Sequence, residues 1–133
     1  MGQPAAKQGD RVVGTDVHVV LVPAPPKDPV PTPLTHPFAG PLTGGLSSDV
    51  LIAGKPAATV GSTADNAPAH VPAAPGTAFQ RPPANRATVL RGSASVLING
   101  KPAARAGDPA MTCNDPADLP AGTVVASGSV VIG

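Results

Sequence analysis

Aromatic residues are almost missing from this chain of 133 residues, which has no tryptophan, no tyrosine and two phenylalanines. That excludes a core built around large rings, and it excludes a nucleic-acid surface of basic residues interleaved with aromatics. The formal net charge of +1 points the same way, because non-specific binding to nucleic acid needs a basic patch. Glutamate is absent altogether, and all eight acids are aspartates. A single cysteine, Cys113, cannot form an internal disulfide. Long apolar runs are lacking too. Val17 to Val22 is the longest, is interrupted by His18, and is far short of the roughly 20 residues that span a bilayer. The N-terminus shows neither the charged region nor the apolar stretch of a signal peptide. No window combines a helical hydrophobic period with capping residues, and at most a single turn is expected around Pro116 to Leu119.

What the chain does have is nineteen prolines and fifteen glycines. Alone, that composition would suggest disorder. The low charge, an apolar content of 41 % and the clustering of the apolar residues into short β-branched runs argue for a turn-rich, all-β domain spanning residues 1–133. Its core must be built from Val, Ile, Leu and Ala, which leaves little margin of stability. A staple is therefore expected. Cysteine oxidation is excluded, and a metal is not.

One pattern recurs along the chain. Ser48 to Gly61 reads SDVLIAGKPAATVG and Ala94 to Gly107 reads ASVLINGKPAARAG, aligned without a gap at an offset of 46 residues. Each copy has a β-branched run, a two-residue turn and Lys-Pro-Ala-Ala. Asn99-Gly100 is a strong hairpin signal because both turn positions tolerate positive φ. A third copy is divided between the chain ends. Gly2 to Asp10 matches Gly100 to Asp108, and Ser129 to Gly133 matches Ser95 to Asn99. Such a split predicts that the termini pair and that three strand-turn units close with approximate three-fold symmetry, removing exposed strand edges.

These Lys-Pro-Ala-Ala motifs, one running directly into Arg105, together with Gln3-Pro4-Ala5-Ala6, resemble the PAAR-repeat proteins, the pointed tips of contractile injection machines such as type VI secretion systems and phage-tail-like particles. Only the last copy carries the full Pro-Ala-Ala-Arg, with Thr59 and Lys7 at the corresponding places in the others. The resemblance implies a compact cone that caps a trimeric VgrG-like spike, one chain per trimer. It implies a point that leads membrane piercing through transient contact with the target membrane, and in some cases effector cargo. It further implies synthesis in a bacterial cytoplasm, without a signal peptide, before assembly at the tip of the particle. No segment is left over for a toxin, so a bare tip is expected.

Between the repeats, residues 23–36 hold six prolines and are expected to be a stiff polyproline-type loop that delivers His36 to a defined place. Ser62 to Pro83 and Asp108 to Gly122 read as further loops, with strands in Arg11 to Val22 and Thr123 to Gly133. His18 lies eight residues after Asp10 and His70 eight after the equivalent Ser62, while Cys113 lies five after the equivalent Asp108. Each repeat thus contributes one soft or borderline ligand, and His36 in the longest loop would be a fourth. A Cys with three His makes a closed tetrahedral zinc site of the structural kind. The spacing alone is a weak motif. The family resemblance implies the same set, His18, His36, His70 and Cys113, bound to zinc near the apex. Enzyme chemistry fares worse. Cys113 beside a histidine lacks an oxyanion turn, and Asp115 with Asp118 suits a turn or cap better than a catalytic pair. At the Gly-Lys pairs, Pro56 and Pro102 stand where a phosphate loop needs Ser or Thr. The alternatives are a small metal-dependent hydrolase, which would need an open coordination position, and a free-standing adaptor that recruits cargo through its proline-rich loops.

Overall fold

The structure, a computed structural model, describes residues 2–133. It is an all-β fold, with no helix among the described residues. From the N-terminus, β1 (Gln3–Pro4) precedes two long strands, β2 (Arg11–Ala24) and β3 (Lys27–Gly44). The first full repeat forms β4 (Leu51–Ile52) and β5 (Lys55–Pro56), followed by β6 (Thr63–Asp65), β7 (Ala78–Phe79) and β8 (Arg86–Val89). The second forms β9 (Leu97–Ile98) and β10 (Lys101–Pro102), followed by β11 (Pro109–Thr112), β12 (Leu119–Val125) and β13 (Val131–Ile132).

The β-branched runs and their turns make two small antiparallel hairpins, β4 with β5 and β9 with β10. Their turns hold Ala53-Gly54 and Asn99-Gly100 at positive φ, the conformation that a two-residue hairpin with right-handed strand twist requires. The chain ends make a third such pair, in which β1 lies antiparallel to β13 with Gln3 opposite Ile132 and Pro4 opposite Val131.

The alanines behind each hairpin interlock. The Ala6 amide donates to the Ala104 carbonyl, Ala104 to Ala58 and Ala58 back to Ala6, at 2.9, 3.0 and 3.0 Å. All three are fully buried. Any side chain beyond a methyl would push these backbones apart, so the second alanine of each Pro-Ala-Ala is dictated by close approach. One residue earlier, Ala5, Ala57 and Ala103 form a separate apolar plug with Ile52, Ile98 and Ile132. Just beyond, Gly9, Gly61 and Gly107 take φ near +90° and turn the chain into the main sheet.

That sheet closes on itself. The order β12-β11-β8-β6-β3-β2 is completed by pairing of β12 with the first half of β2, so only β7, paired to Val20 and Leu21, stands outside the ring. The ring encloses the main core of Val12, Phe38, Leu42, Val89, Val124 and six alanines (Ala6, Ala58, Ala64, Ala87, Ala104, Ala110) among others.

The proline-rich stretch departs from the sequence reading. Residues 27–44 are not a polyproline loop but the longest strand, in continuous register with β2 from Arg11 opposite Pro41 to Val22 opposite Val30. The reason lies in parity. In an antiparallel pair every second residue directs its N–H away from its partner. The amides of Val17 and Val19 reach Asn114 and Asp115, and the carbonyls of Val19 and Leu21 accept from Gln80 and Thr77, so the odd residues of β2 face away from β3. Their partners do likewise, which places Pro31, Pro33, Pro37 and Pro41 where the missing N–H is not needed by the ladder. Ala39, with the same parity, confirms the direction by donating to Asn66 Oδ1 at 2.9 Å.

Candidate metal centre

Alternation along β2 puts Asp16, His18 and Val20 on the buried face, and the register sets His36 of β3 directly opposite Asp16. His70 enters from the segment after β6, and Cys113 follows β11. Four of these side chains, Asp16, His18, His70 and Cys113, bring one ligand atom each to within 4.8 Å of one another. His70 Nε2 is 2.9 Å from Asp16 Oδ2, and Cys113 Sγ lies 3.4 Å from the same oxygen and 3.6 Å from His18 Nε2. His36 stands alongside, its ring centroid 5.5 Å from those of His18 and of His70. Both phenylalanines of the chain line the same cluster, Phe79 against His18 and His36 and Phe38 against His70. The scarce aromatic surface therefore borders this centre, with Phe38 joining it to the main core.

The hydrogen bonds fix the protons. The Leu34 carbonyl, 2.9 Å from His36 Nδ1, can only accept, so Nδ1 carries the hydrogen and Nε2 accepts from the Ala73 amide at 3.1 Å. At His70 the Asn66 amide donates to Nδ1 at 3.1 Å, which leaves Nε2–H to donate to Asp16. Asn85, held at positive φ, carries the carboxamide that accepts from the His70 backbone amide. His18 Nδ1 lies 3.4 Å from Asp115 Oδ2, an electrostatic contact that falls short of a hydrogen bond. Burial pulls the His18 pKa down, with Asp115 opposing. Burial pushes the Cys113 thiol up to about 11, and the neighbouring Asp16 carboxylate adds to the rise. For Asp115 burial also opposes ionisation, but the Val19 amide, Arg81 and His18 outweigh it and hold the carboxyl below its ordinary value.

The donors suit a metal ion. Asp16 Oδ1 and His18 Nδ1 are buried with no hydrogen-bond partner, an expensive condition in a protein interior. Imidazole nitrogens, a thiol and a carboxylate are the ligand types of zinc and its neighbours. When bound, such an ion supplies charge that turns the thiol into a thiolate and cross-links β2, the post-β6 segment and the post-β11 segment.

A family model described as PAAR motif matches residues 80–133. Over that segment the chain is similar to the PAAR-motif proteins. The PAAR motif marks spike-tip proteins of contractile injection systems that associate with a VgrG spike, a structural family rather than an enzyme family. The matched segment contains Lys101-Pro102-Ala103-Ala104-Arg105, Cys113 and β13, whereas all three histidines lie before it. The chain matches no curated protein and no solved structure.

Asp16 escaped the sequence reading. Its signal was the Asp16-Val17-His18 alternation, which on a strand sets both polar side chains on one face. Asp115 proves to be a tether for the Val19 amide and Arg81, and Lys55 and Lys101 are exposed on their hairpins.

Proposed function

We propose that this chain caps a trimeric VgrG-like spike, one copy per trimer, as a single cone-shaped domain whose zinc-bound end leads penetration of the target membrane. Cargo joined to it would travel with the tip of the particle. The carrying observation is that one chain presents the same edge three times. Leu51, Leu97 and Val131 occupy equivalent repeat positions, directly beside the buried isoleucines of the plug, and are 60, 61 and 57 % exposed. Large apolar residues left outside a packed plug suit a partner of matching symmetry. Mixing the protein with its cognate spike and weighing the complex tests the reading. One chain per three spike subunits is expected, and three chains per trimer, or no complex with a folded spike, would refute it.

For the metal, the reading is zinc held by His18, His36, His70 and Cys113. Support for His36 comes from its Nδ1–H bond to the Leu34 carbonyl, which leaves the lone pair on Nε2, where an ion would displace the Ala73 amide. A thiolate with three neutral imidazoles would leave one positive charge on a zinc site, and His70 would have to give up the Nε2 proton it donates to Asp16 to join it. The fully buried Asp16 carboxylate beside it balances that charge.

A further inference from the structure

Two cavities flank the metal centre, and they differ in chemistry. One, of about 240 Å³, opens on His36 and His70 between Pro37, Ala67 and Val71, and has no carboxylate or guanidinium in its wall. The other, of about 190 Å³, opens on His18 and Cys113 and is walled by Arg81, Ala84, Asp115 and Asp118. A single side chain secures this second opening. Arg81 donates through one nitrogen to the Asn114 carbonyl at 3.1 Å, Asp115 Oδ1 at 2.6 Å and the Pro116 carbonyl at 3.0 Å. It thereby ties the segment after β7 to the segment that carries Cys113. The Arg81 side chain is itself 58 % exposed, so the tie faces water and can be exchanged for solvent.

We propose that the polar cavity is the route by which the metal ion enters and leaves the folded protein, with Arg81 as its latch. The inference rests on the metal reading given above. A divalent cation sheds its water stepwise and needs oxygen or nitrogen partners along the way, which Asp118, Asp115 and the Asn114 carbonyl supply. The apolar cavity offers none of comparable charge. At the inner end of the polar route lie two of the donors, Cys113 Sγ and the His18 ring, whose Nδ1 is buried and unpartnered. Loading therefore requires no unfolding: release of the Arg81 tie opens the wall between two loops while the closed sheet stays intact.

The test uses the zinc-loaded protein, with metal release to excess 4-(2-pyridylazo)resorcinol followed by absorbance and global unfolding followed separately by circular dichroism. Release is expected to outpace unfolding. Arg81→Ala should speed release roughly five- to thirtyfold, the effect of losing a tie worth one to two kcal/mol, while the unfolding rate changes little. Ala84→Leu, which narrows the polar cavity, should slow release, and Val71→Phe, at the apolar cavity, should leave it unchanged. If zinc leaves only as fast as the protein unfolds, or if Val71→Phe slows release and Ala84→Leu does not, the route is wrong while the metal site stands. A folded protein that binds no zinc overturns both.

Discussion

The repeats show how one backbone need is met by different side chains. At the turn after each Pro-Ala-Ala, the amide of the fourth residue donates to a side-chain oxygen three positions on, from Lys7 to Asp10, Thr59 to Ser62 and Arg105 to Asp108. In the outer two, the cation also pairs with the aspartate it caps, at 3.1 and 2.9 Å. The middle copy replaces both partners together by the neutral Thr59 and the fully buried Ser62, whose hydroxyl donates onward to the Gly45 carbonyl. An aspartate there without its cation would be a buried unpaired charge. The full Pro-Ala-Ala-Arg is thus one of two solutions to the same turn. At the metal centre the decisive comparison is between His36 and Asp16. His36→Ala should reduce zinc content and lower the melting temperature sharply, as should Cys113→Ser, since structural zinc contributes on the order of 10 kcal/mol of apparent binding energy. Asp16→Asn should keep the zinc. The cobalt-substituted protein should still show the charge-transfer band of one thiolate and the ligand-field pattern of three imidazoles. Loss of that pattern in Asp16→Asn, with His36→Ala unaffected, would make the carboxylate the fourth ligand.

At the level of elements, parity governs what a proline does to β3. Thr35 shares the outward direction of Pro33 and Pro37, so Thr35→Pro should shift the melting temperature little. Leu34, opposite His18, has the ladder-facing parity. Leu34→Pro removes an inter-strand bond and leaves its acceptor unpaired, which is expected to cost about 1–3 kcal/mol, measurable by denaturant titration. Equal costs at the two positions would contradict the assigned register. The same distinction explains what was legible beforehand. The hairpins around Ala53-Gly54 and Asn99-Gly100 and the pairing of the chain ends could be read from sequence, because each depends on residues a few places apart or on copies that can be aligned. The long strand could not. Whether a proline breaks a strand depends on which edge is free, and that is decided by where Asn66, Asp115 and β7 dock. His18, His70 and Cys113 were visible as scarce residue types at matching places. Asp16 was one of eight aspartates, and only burial against His70 sets it apart.

At the level of the whole molecule, the cyclic bonds between Ala6, Ala104 and Ala58 and the β1–β13 pair make the chain ends part of the frame. Removing residues 129–133 takes away β13, the plug residue Ile132 and the Gly133 carbonyl to which the Ser93 hydroxyl donates. That truncation should abolish the cooperative transition seen by circular dichroism rather than trim a tail. A truncated protein with unchanged zinc content and melting temperature would show that the third unit is dispensable.

The meeting of β1 and β13 has a topological corollary. Gln3 opposite Ile132 stands in the register that Lys101 holds to Ile98 and Lys55 to Ile52. The backbone therefore approximates a loop that happens to be cut at one of its three equivalent bends. A circular permutant, with its ends joined by a short linker and the loop reopened at Asn99-Gly100, would begin one repeat later along the same circle. It should bind the same zinc and seat on the same spike. The place of the cut would then be immaterial to the closed frame.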